Sequence, residues 1–487
     1  MPDQSQPLWT ALDIAEATGG RIEGGAFDVH GITYNSREIA PGDLFLALHG
    51  ERDGRDFAGA AFAAGASGAL VERAVEGGPC IVVPDTLKAL EMLGVAARDR
   101  APQALRGAVT GSVGKTSVTQ AIKAGLDLAG QASGRGAHAS FKSYNNHIGV
   151  PLTLSRMPAN VERAVFEIGM NAPGEIAPLS KMVQPHAACV TTVGPVHIEG
   201  FADGETGVAR EKATIFQGLG PGGVAVINGD NVWVDMLREA ALHHGARIAQ
   251  FGSGPGQDAR LLDFVPGPDG ARVTAEIWGR THAFSLKQTG FHWGLNSLAV
   301  ILMLDALDVP VETAFAALAE FQPLAGRGET RQVRVPGGAF TLIDESYNAN
   351  PLSMRAGFMS LGAKPVTGGG RRIVVLTDML ELGDQATALH AGLAETIDAA
   401  GLDLVHAAGP QMRHLYDALP SSRRGIWAET AADLAAQAST LAGPGDIVMV
   451  KGSNGSKASL VAKALAALDN AGQSASQDAS QNAQGGV

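Results

Sequence analysis

Cysteine is almost missing from this 487-residue chain, and its two copies, Cys80 and Cys189, lie far apart and outside any C-x-x-C spacing. A disulfide framework and a cysteine-ligated zinc site are thereby excluded, and both thiols are expected to be reduced and inert. Long apolar runs are missing as well. No stretch of about 18 uninterrupted apolar residues occurs, and MPDQSQPLWTALDIAEATGG lacks the basic-then-apolar order of a secretion signal. Membrane insertion is therefore not expected, and the location expected is the cytoplasm. Basic residues are outnumbered, with 37 Lys plus Arg against 49 Asp plus Glu and a formal charge of −12. That balance excludes a broad cationic surface for nucleic acid or anionic lipid, so an anionic ligand must be held by local charge. Coiled-coil heptads are also lacking, and a monomer is expected.

What is present is enough apolar residue, 45% of the chain, to fill about three cores of ordinary domain size. Residues 1–104 open on an amphipathic segment, LWTALDIAEATG, and carry short strands in DLFLAL, ALVE and CIVVPD. They end in the helical stretch TLKALEMLGVAARDRAP, which Pro102 breaks. Residues 105–325 alternate apolar strands (AVFEIG, AACVTTVG, GVAVIN) with helices, the pattern of a doubly wound parallel sheet. Residues 326–468 repeat the alternation in FTLIDE, RIVVLTDM, LVHAAG and DIVMVKG, as a smaller Rossmann-like unit would. The fold class expected is α/β throughout, with ligands at the carboxyl ends of the parallel strands. The polar, repetitive segment 469–487 is expected to be a disordered tail.

The sharpest local signal is TGSVGKTS, Thr110 to Ser117, set between an apolar lead-in at Ala108 and Val109 and the helix-favouring run SVTQAIKAGLDLA. The strict pattern G-x-x-x-x-G-K-[ST] wants glycine where Val109 stands, so the likeness is one of chemistry. Gly111 and Gly114 let the backbone N–H groups around Ser112 and Val113 turn toward a phosphate. Lys115 adds a mobile positive charge, and Thr116 and Ser117 bring hydroxyls to a helix N-terminus, where Thr116 can meet Mg2+. Such a loop binds the β- and γ-phosphates of ATP or GTP; the plainer alternative is a glycine-rich turn with a surface lysine.

Other polar groups cluster at strand ends. VFEIGMNAPGEI puts Glu167 at the end of a buried strand, where a carboxylate is costly unless it meets a cation, although a strand-end glutamate in water is the simpler alternative. VTTVGPVHIEGF places His197 in a loop, and GVAREKATIF places Lys212 in a helical stretch; singly, each reads as an ordinary solvated residue. Asn145 and Asn146 in SYNNHIGVPLTL suit either a turn or a polar lining near phosphates. IDESYNANPLS crowds hydrogen-bonding groups onto a strand's carboxyl end, which suits a ligand loop better than a capped helix start alone.

GSVGKT, SYNNHIGVPLTL, EIGMNAPGEI, GFHWGLNSLAV, LAGRGETRQ, DESYNANPLSMRAG, TDMLELG and VKGS occur in the order found in the Mur ligase family. YNSREIAPGDLFLALHGERDGRDFAGAAFAAGASGALV resembles that family's UDP-binding domain, and the likeness runs from about residue 30 to about residue 460. The resemblance implies an N-terminal α/β UDP-binding domain, a central phosphate-loop ATPase domain with a doubly wound parallel sheet, and a C-terminal Rossmann-like domain. It implies an ADP-forming amide ligase of peptidoglycan precursor synthesis. The SYNANP and EIGMNAPGEI forms point to D-alanyl-D-alanine joined to a UDP-N-acetylmuramoyl-tripeptide through an acyl phosphate. A sister ligase adding one amino acid and a folate polyglutamate ligase, both of which the first region and SYNANP argue against, a phosphotransferase using the same loop, and a nucleotide-binding module without catalysis are the alternatives.

Carried over by resemblance, Lys115, His197 and Lys212 are catalytic, and Thr116, Glu167, His197 and Lys212 hold two Mg2+ ions, Lys212 after carbamylation by CO2. The nucleotide falls to Gly111 through Ser117, to His292 and Asn296 at the adenine, to Arg327 at the phosphates, and to Asp344 and Asn348. Ser36 and Arg37 face the uridine diphosphate, while Asn145, Asn146, Tyr347 and Asn350 face the remaining substrate. With these groups spread over three domains, catalysis is expected to need domain closure. The sequence departs from the family pattern at Val113, where a polar residue is usual, and at His147, where an acid is common. VKGSNGSKAS also lacks the usual arginine, which leaves a contact from Lys451 open.

Overall fold

The computed structural model describes residues 6–131, 134, 136–140, 143–267, 270–366 and 368–469. They form two compact units. The first takes in the described residues of Met1–Thr192, Ala209–Ala259 and Ser297–Leu318, and the second those of Val193–Val208, Arg260–Asn296 and Ala319–Val487. Among the described residues no helix is long and apolar enough to cross a membrane.

The first unit begins with a helix, Ala11–Thr18, started by a capping box in which Thr10 and Asp13 satisfy each other's backbone N–H groups. A five-stranded sheet follows, ordered Arg21–Glu23, Cys80–Val82, Gly68–Val71, Asp43–Leu46, Gly31–Thr33. Only its first pairing is antiparallel. The helix Thr86–Asp99, capped by Asp85, packs Leu90 and Leu93 into the core under that sheet. Polar bonds tie this layer to the next: the Trp9 indole N–H donates to the Ser155 carbonyl at 2.8 Å, and Arg156 Nε donates to the Ile32 carbonyl at 2.6 Å.

The larger sheet of this unit is parallel in the order His138–Ala139, Arg163–Glu167, Leu105–Thr110, Ala187–Val190, Val224–Asn228, Arg247–Gly252. Its central strands are buried on both faces, which is why they read in sequence as unbroken apolar runs. Leu105–Thr110 lies between a strand that follows it and another that also follows it, so the chain reverses its direction of travel across the sheet at that strand. A ligand crevice opens at such a switch point, beyond the carboxyl ends of the strands. Register sets Glu167 beside Val109 and Val190 beside Thr110.

The second unit holds a six-stranded sheet ordered Glu329–Val335, Gly338–Glu345, Ile447–Lys451, Arg372–Thr377, Leu404–Ala408, Arg424–Ala428. Its first two strands form an antiparallel hairpin and the rest run parallel. Alternate residues feed opposite faces: Val374, Leu376 and Met449 enter one core, Ile373, Val375 and Val448 the other. Gly270–Ile277 and Arg280–Leu286 add a second antiparallel hairpin, turned at Trp278 and Gly279, both with positive φ. The tail expected from residue 469 lies, from 470 onward, outside the described residues. Asp469 itself closes the helix over 458–469, and its carboxylate accepts from the Arg334 backbone N–H at 2.9 Å and from Arg334 Nε at 2.8 Å.

Candidate active site

The phosphate loop leaves the central parallel strand at Thr110 and enters the helix Lys115–Gly130 at Gly114, whose φ of 89° only glycine adopts without strain. Gly114 offers no side-chain cap, so the positive end of a sixteen-residue helix faces the loop uncovered by a carboxylate or hydroxyl of its own cap. Gly111 has φ 148°, and a Cβ there would sit 2.0 Å from the Thr191 hydroxyl. That hydroxyl donates to the Val113 carbonyl at 2.5 Å, while the Ser112 N–H donates to the Thr192 carbonyl at 2.8 Å. Lys115 Nζ lies 2.8 Å from the Gly111 carbonyl, folded back over the loop it would share with a phosphate. Thr116 Oγ1 is 3.2 Å from Ser143 Oγ, and Ser117 occupies the first turn.

Glu167 is 1% exposed, so the reading of a strand-end glutamate in water does not hold. Its Oε1 accepts from Asn145 Nδ2 at 2.6 Å, its backbone N–H donates to Ser140 Oγ at 2.9 Å, and its Oε2 has no hydrogen-bond partner. The paired asparagines divide their work. Asn145 reaches the carboxylate, whereas Asn146 Oδ1 accepts from the Ile148 and Gly149 N–H groups and starts the helix Gly149–Ser155. Ser36 and Arg37 occupy the turn after Gly31–Thr33, next to Tyr34, whose ring centroid lies 6.2 Å from that of Tyr144.

Lys212 is likewise 1% exposed and is no solvated helix lysine. Burial drives its pKa well down from the ordinary amine value, and the Lys115 charge adds to the effect. Its neighbour Glu211 turns the other way, accepting from the Gly174 and Ile176 N–H groups at 2.8 Å each and so fastening the loop after Glu167 to the lysine's helix.

An unpartnered carboxylate oxygen buried beside a phosphate loop fits a hard cation, because a buried charge without a counter-charge is costly. No group of three or more His, Cys, Asp or Glu side chains forms a metal cluster among the described residues. An ion at Glu167 would take its other donors from hydroxyl, phosphate and water oxygens, the mixture Mg2+ prefers.

In the second unit His197 sits at φ 59°, and its Nδ1 lies 2.6 Å from Glu381 Oε2. His292 and Asn296 belong to the helix His292–Asp305. His292 lines a cavity of 1680 Å³ together with Phe264, Phe291, Arg331, Arg355 and Lys364. The Arg327 guanidinium stacks 3.9 Å above the Tyr347 ring. Asp344 Oδ1 accepts from the Ser346 N–H and Asn348 Oδ1 from the Ala349 N–H, both turn bonds. Asn350 caps the helix Pro351–Gly362 through a box with Ser353, which commits its side-chain carbonyl. Lys451 is 3% exposed and donates to Glu345 Oε2 and to the Asn348 carbonyl, both at 3.2 Å.

Sequence reasoning gave no role to Thr191, Glu211, Ser140 or Glu381. Thr191, Glu211 and Glu381 stood in quoted motifs, but nothing in a string of letters shows which group a hydroxyl or carboxylate will reach.

Taken together, a parallel sheet reversing at a strand that ends in a phosphate loop, with a buried carboxylate one strand away, defines a nucleotide-binding α/β protein. The Mur ligase middle domain matches residues 109–304, the glutamate ligase domain of Mur ligases matches 326–454, and the catalytic domain of the Mur ligase family matches 28–101. The chain belongs to the Mur ligase family. It is 31% identical to the UDP-N-acetylmuramoyl-tripeptide–D-alanyl-D-alanine ligase of Bacillus subtilis over 94% of this chain and 98% of that one. With the Escherichia coli enzyme of the same name the identity is 33%, over 82% and 86%. A crystal structure of MurF from Acinetobacter baumannii superimposes with a TM-score of 0.80 at 28% identity, covering 95% of this chain and 99% of that chain.

Proposed function

We propose that this chain joins D-alanyl-D-alanine to a UDP-N-acetylmuramoyl-tripeptide in the cytoplasm, with ATP converted to ADP and phosphate. The observation that carries the ATP-using half is the buried, unpartnered Glu167 oxygen beside the phosphate loop. Support for the dipeptide, rather than a single amino acid, comes from relatives named for that reaction and matched along 98% and 86% of their lengths.

A carboxylate does not react with an amine until one of its oxygens becomes a good leaving group. In the first step the terminal carboxylate of the tripeptide attacks the γ-phosphorus of ATP, and ADP departs. In the second, the dipeptide amine attacks the acyl carbon of the resulting acyl phosphate, loses a proton, and expels phosphate from the tetrahedral adduct. The protein's part is to place anions together, offset their charge and exclude water.

Lys115 offsets charge on the γ-phosphate, with Gly111, Ser112, Val113 and Gly114 supplying backbone donors and Ser117 a hydroxyl. Thr116 and Glu167 are assigned to one Mg2+, His197 and Lys212 to a second. Mg2+ would supply positive charge where phosphate oxygens gather. Lys212 has a property that favours carbamylation: burial lowers the proton affinity of its amine, and the deprotonated amine can add to CO2 with loss of a proton and become an oxygen donor. His292 and Asn296 are assigned to the adenine, Arg327 to the phosphates, and Asp344 and Asn348 to the nucleotide. Ser36 and Arg37 are assigned to the uridine diphosphate, and Asn145, Asn146, Tyr347 and Asn350 to the rest of the substrate. The division into 1–104, 105–325 and 326–468 belongs to the same proposal.

The test is phosphate release from ATP with Mg2+, UDP-linked muramoyl tripeptide and D-alanyl-D-alanine, each omitted in turn, with the product weighed. The expected result is release that needs every component and a product heavier by one condensed dipeptide. If D-alanine or glutamate replaces the dipeptide, the chain is a sister ligase. A phosphorylated product without free phosphate makes it a phosphotransferase.

A further inference from the structure

Six non-glycine residues have a positive φ among the described residues, and two of them, His197 and Glu381, are bonded to each other. A left-handed backbone is unfavourable for a residue with a Cβ and persists where the surroundings impose it. Here they do so on the Glu381 side. The Met379 N–H donates to His390 Nε2 at 3.0 Å, and the Leu380 N–H donates to Ser453 Oγ at 3.0 Å. Asp378 Oδ1 accepts from the Met412 N–H at 2.7 Å, and Leu382 is buried. On the other side, a Cβ on Gly383 would come within 3.3 Å of Glu199 Cβ, so the His197 loop and the Glu381 loop approach at backbone distance. The backbone that carries the carboxylate is thus fixed, and only the Glu381 side chain has to be ordered for the contact with His197 to form.

A carboxylate only accepts hydrogen bonds, so Nδ1 of His197 must carry the proton in this contact. In the neutral ring the lone pair then resides on Nε2. We propose that Glu381 is a positioning residue: it holds His197 in the Nδ1–H tautomer and leaves Nε2 as the donor atom for a divalent cation. The proposal rests on the assignment of His197 to a metal ion made above. A metal-bound histidine whose second nitrogen is fixed by a carboxylate is a better and better-aimed ligand.

The experiment uses the full chain labelled with 15N-histidine and free of metal, observed by long-range proton–nitrogen correlation, with His197 identified by its loss in His197→Ala. Wild type should show the Nδ1–H tautomer, Glu381→Ala a shift toward Nε2–H, and Glu381→Asp a partial return. In the presence of ADP, Mn2+ binding to Glu381→Ala should weaken about tenfold or more, with kcat reduced and the KM for ATP little changed. An Nε2–H tautomer in wild type, or no change of tautomer in Glu381→Ala, overturns the proposal. Unaltered Mn2+ affinity in His197→Ala removes the metal assignment instead, and the proposal falls with it for that separate reason.

Discussion

At Glu167 function and stability pull against each other. A carboxylate that is 1% exposed, with one oxygen bonded to Asn145 and the other to nothing, weakens the ligand-free fold. Glu167→Gln keeps the volume and the Asn145 bond while removing the charge. The ligand-free variant is expected to be more stable by about 1–3 kcal/mol, to lose the extra stability that Mg2+ with nucleotide gives wild type, and to be close to inactive. Thermal unfolding with and without Mg2+ and ADP measures both effects, and a variant less stable than wild type that still responds to Mg2+ would sink the assignment. In the sequence this residue could equally be a solvated strand end. Burial decided between those readings, and burial comes from which strands lie on either side.

At the scale of elements, the turn from strand to helix works because three short pieces interlock. Gly111 leaves space that the Thr191 hydroxyl fills, and that hydroxyl holds the Val113 carbonyl. Gly111→Ala should therefore cost about 1–3 kcal/mol through backbone strain and displacement of Thr191, and should raise the KM for ATP because the loop's N–H groups are no longer aligned. Thr191→Ala alone should cost about 1 kcal/mol for a lost hydrogen bond. The double variant should cost less than the two singles added, since removing the Thr191 hydroxyl vacates the space that a methyl group on residue 111 needs. Strict additivity in a denaturant series would show that the clash is relieved elsewhere.

The same interlock explains what the sequence made legible. Strands that are apolar throughout, such as AACVTTVG and RIVVLTDM, announce a parallel sheet because both of their faces are covered. The hairpin Gly270–Ile277 with Arg280–Leu286, and the strand Glu329–Val335 that pairs with the FTLIDE strand, alternate polar and apolar residues, and a search for apolar runs passes over them. Lys115 stood out by its place in a glycine-rich loop, whereas Glu167 and Lys212, which singly read as solvated residues, stood out only through the order of motifs that resembles the family. The groups that fasten their surroundings, Thr191 at the loop, Ser140 at Glu167 and Glu211 beside Lys212, are ordinary residues whose role exists only once distant segments meet.

At the scale of the whole molecule, the C-terminal sheet is braced by histidines that must stay neutral. His406 is 3% exposed; its Nδ1 accepts from the Ile426 N–H at 3.0 Å, and its Nε2 faces the Leu441 carbonyl at 3.1 Å. His390, fully buried, uses its nitrogens in the opposite sense, with Nε2 accepting from Met379 and Nδ1 facing the Ala386 carbonyl at 2.7 Å. Burial lowers both pKa values, that of His406 from an ordinary 6.5 to about 4. A second proton on His406 would point Nδ1–H at the Ile426 N–H group, a donor facing a donor. Since the folded pKa lies below the unfolded one, the stabilisation is complete above pH 6.5 and is lost as the pH falls toward 4. Between pH 7 and pH 5 His406 alone should withdraw roughly 2 kcal/mol. His406→Gln, which keeps the donor to Leu441 and does not titrate, should start less stable but lose correspondingly less over that interval. Hydrogen exchange of the Arg424–Ala428 strand at the two pH values, corrected for intrinsic rates, reads the difference directly, and equal losses in the two proteins would place the acid sensitivity elsewhere.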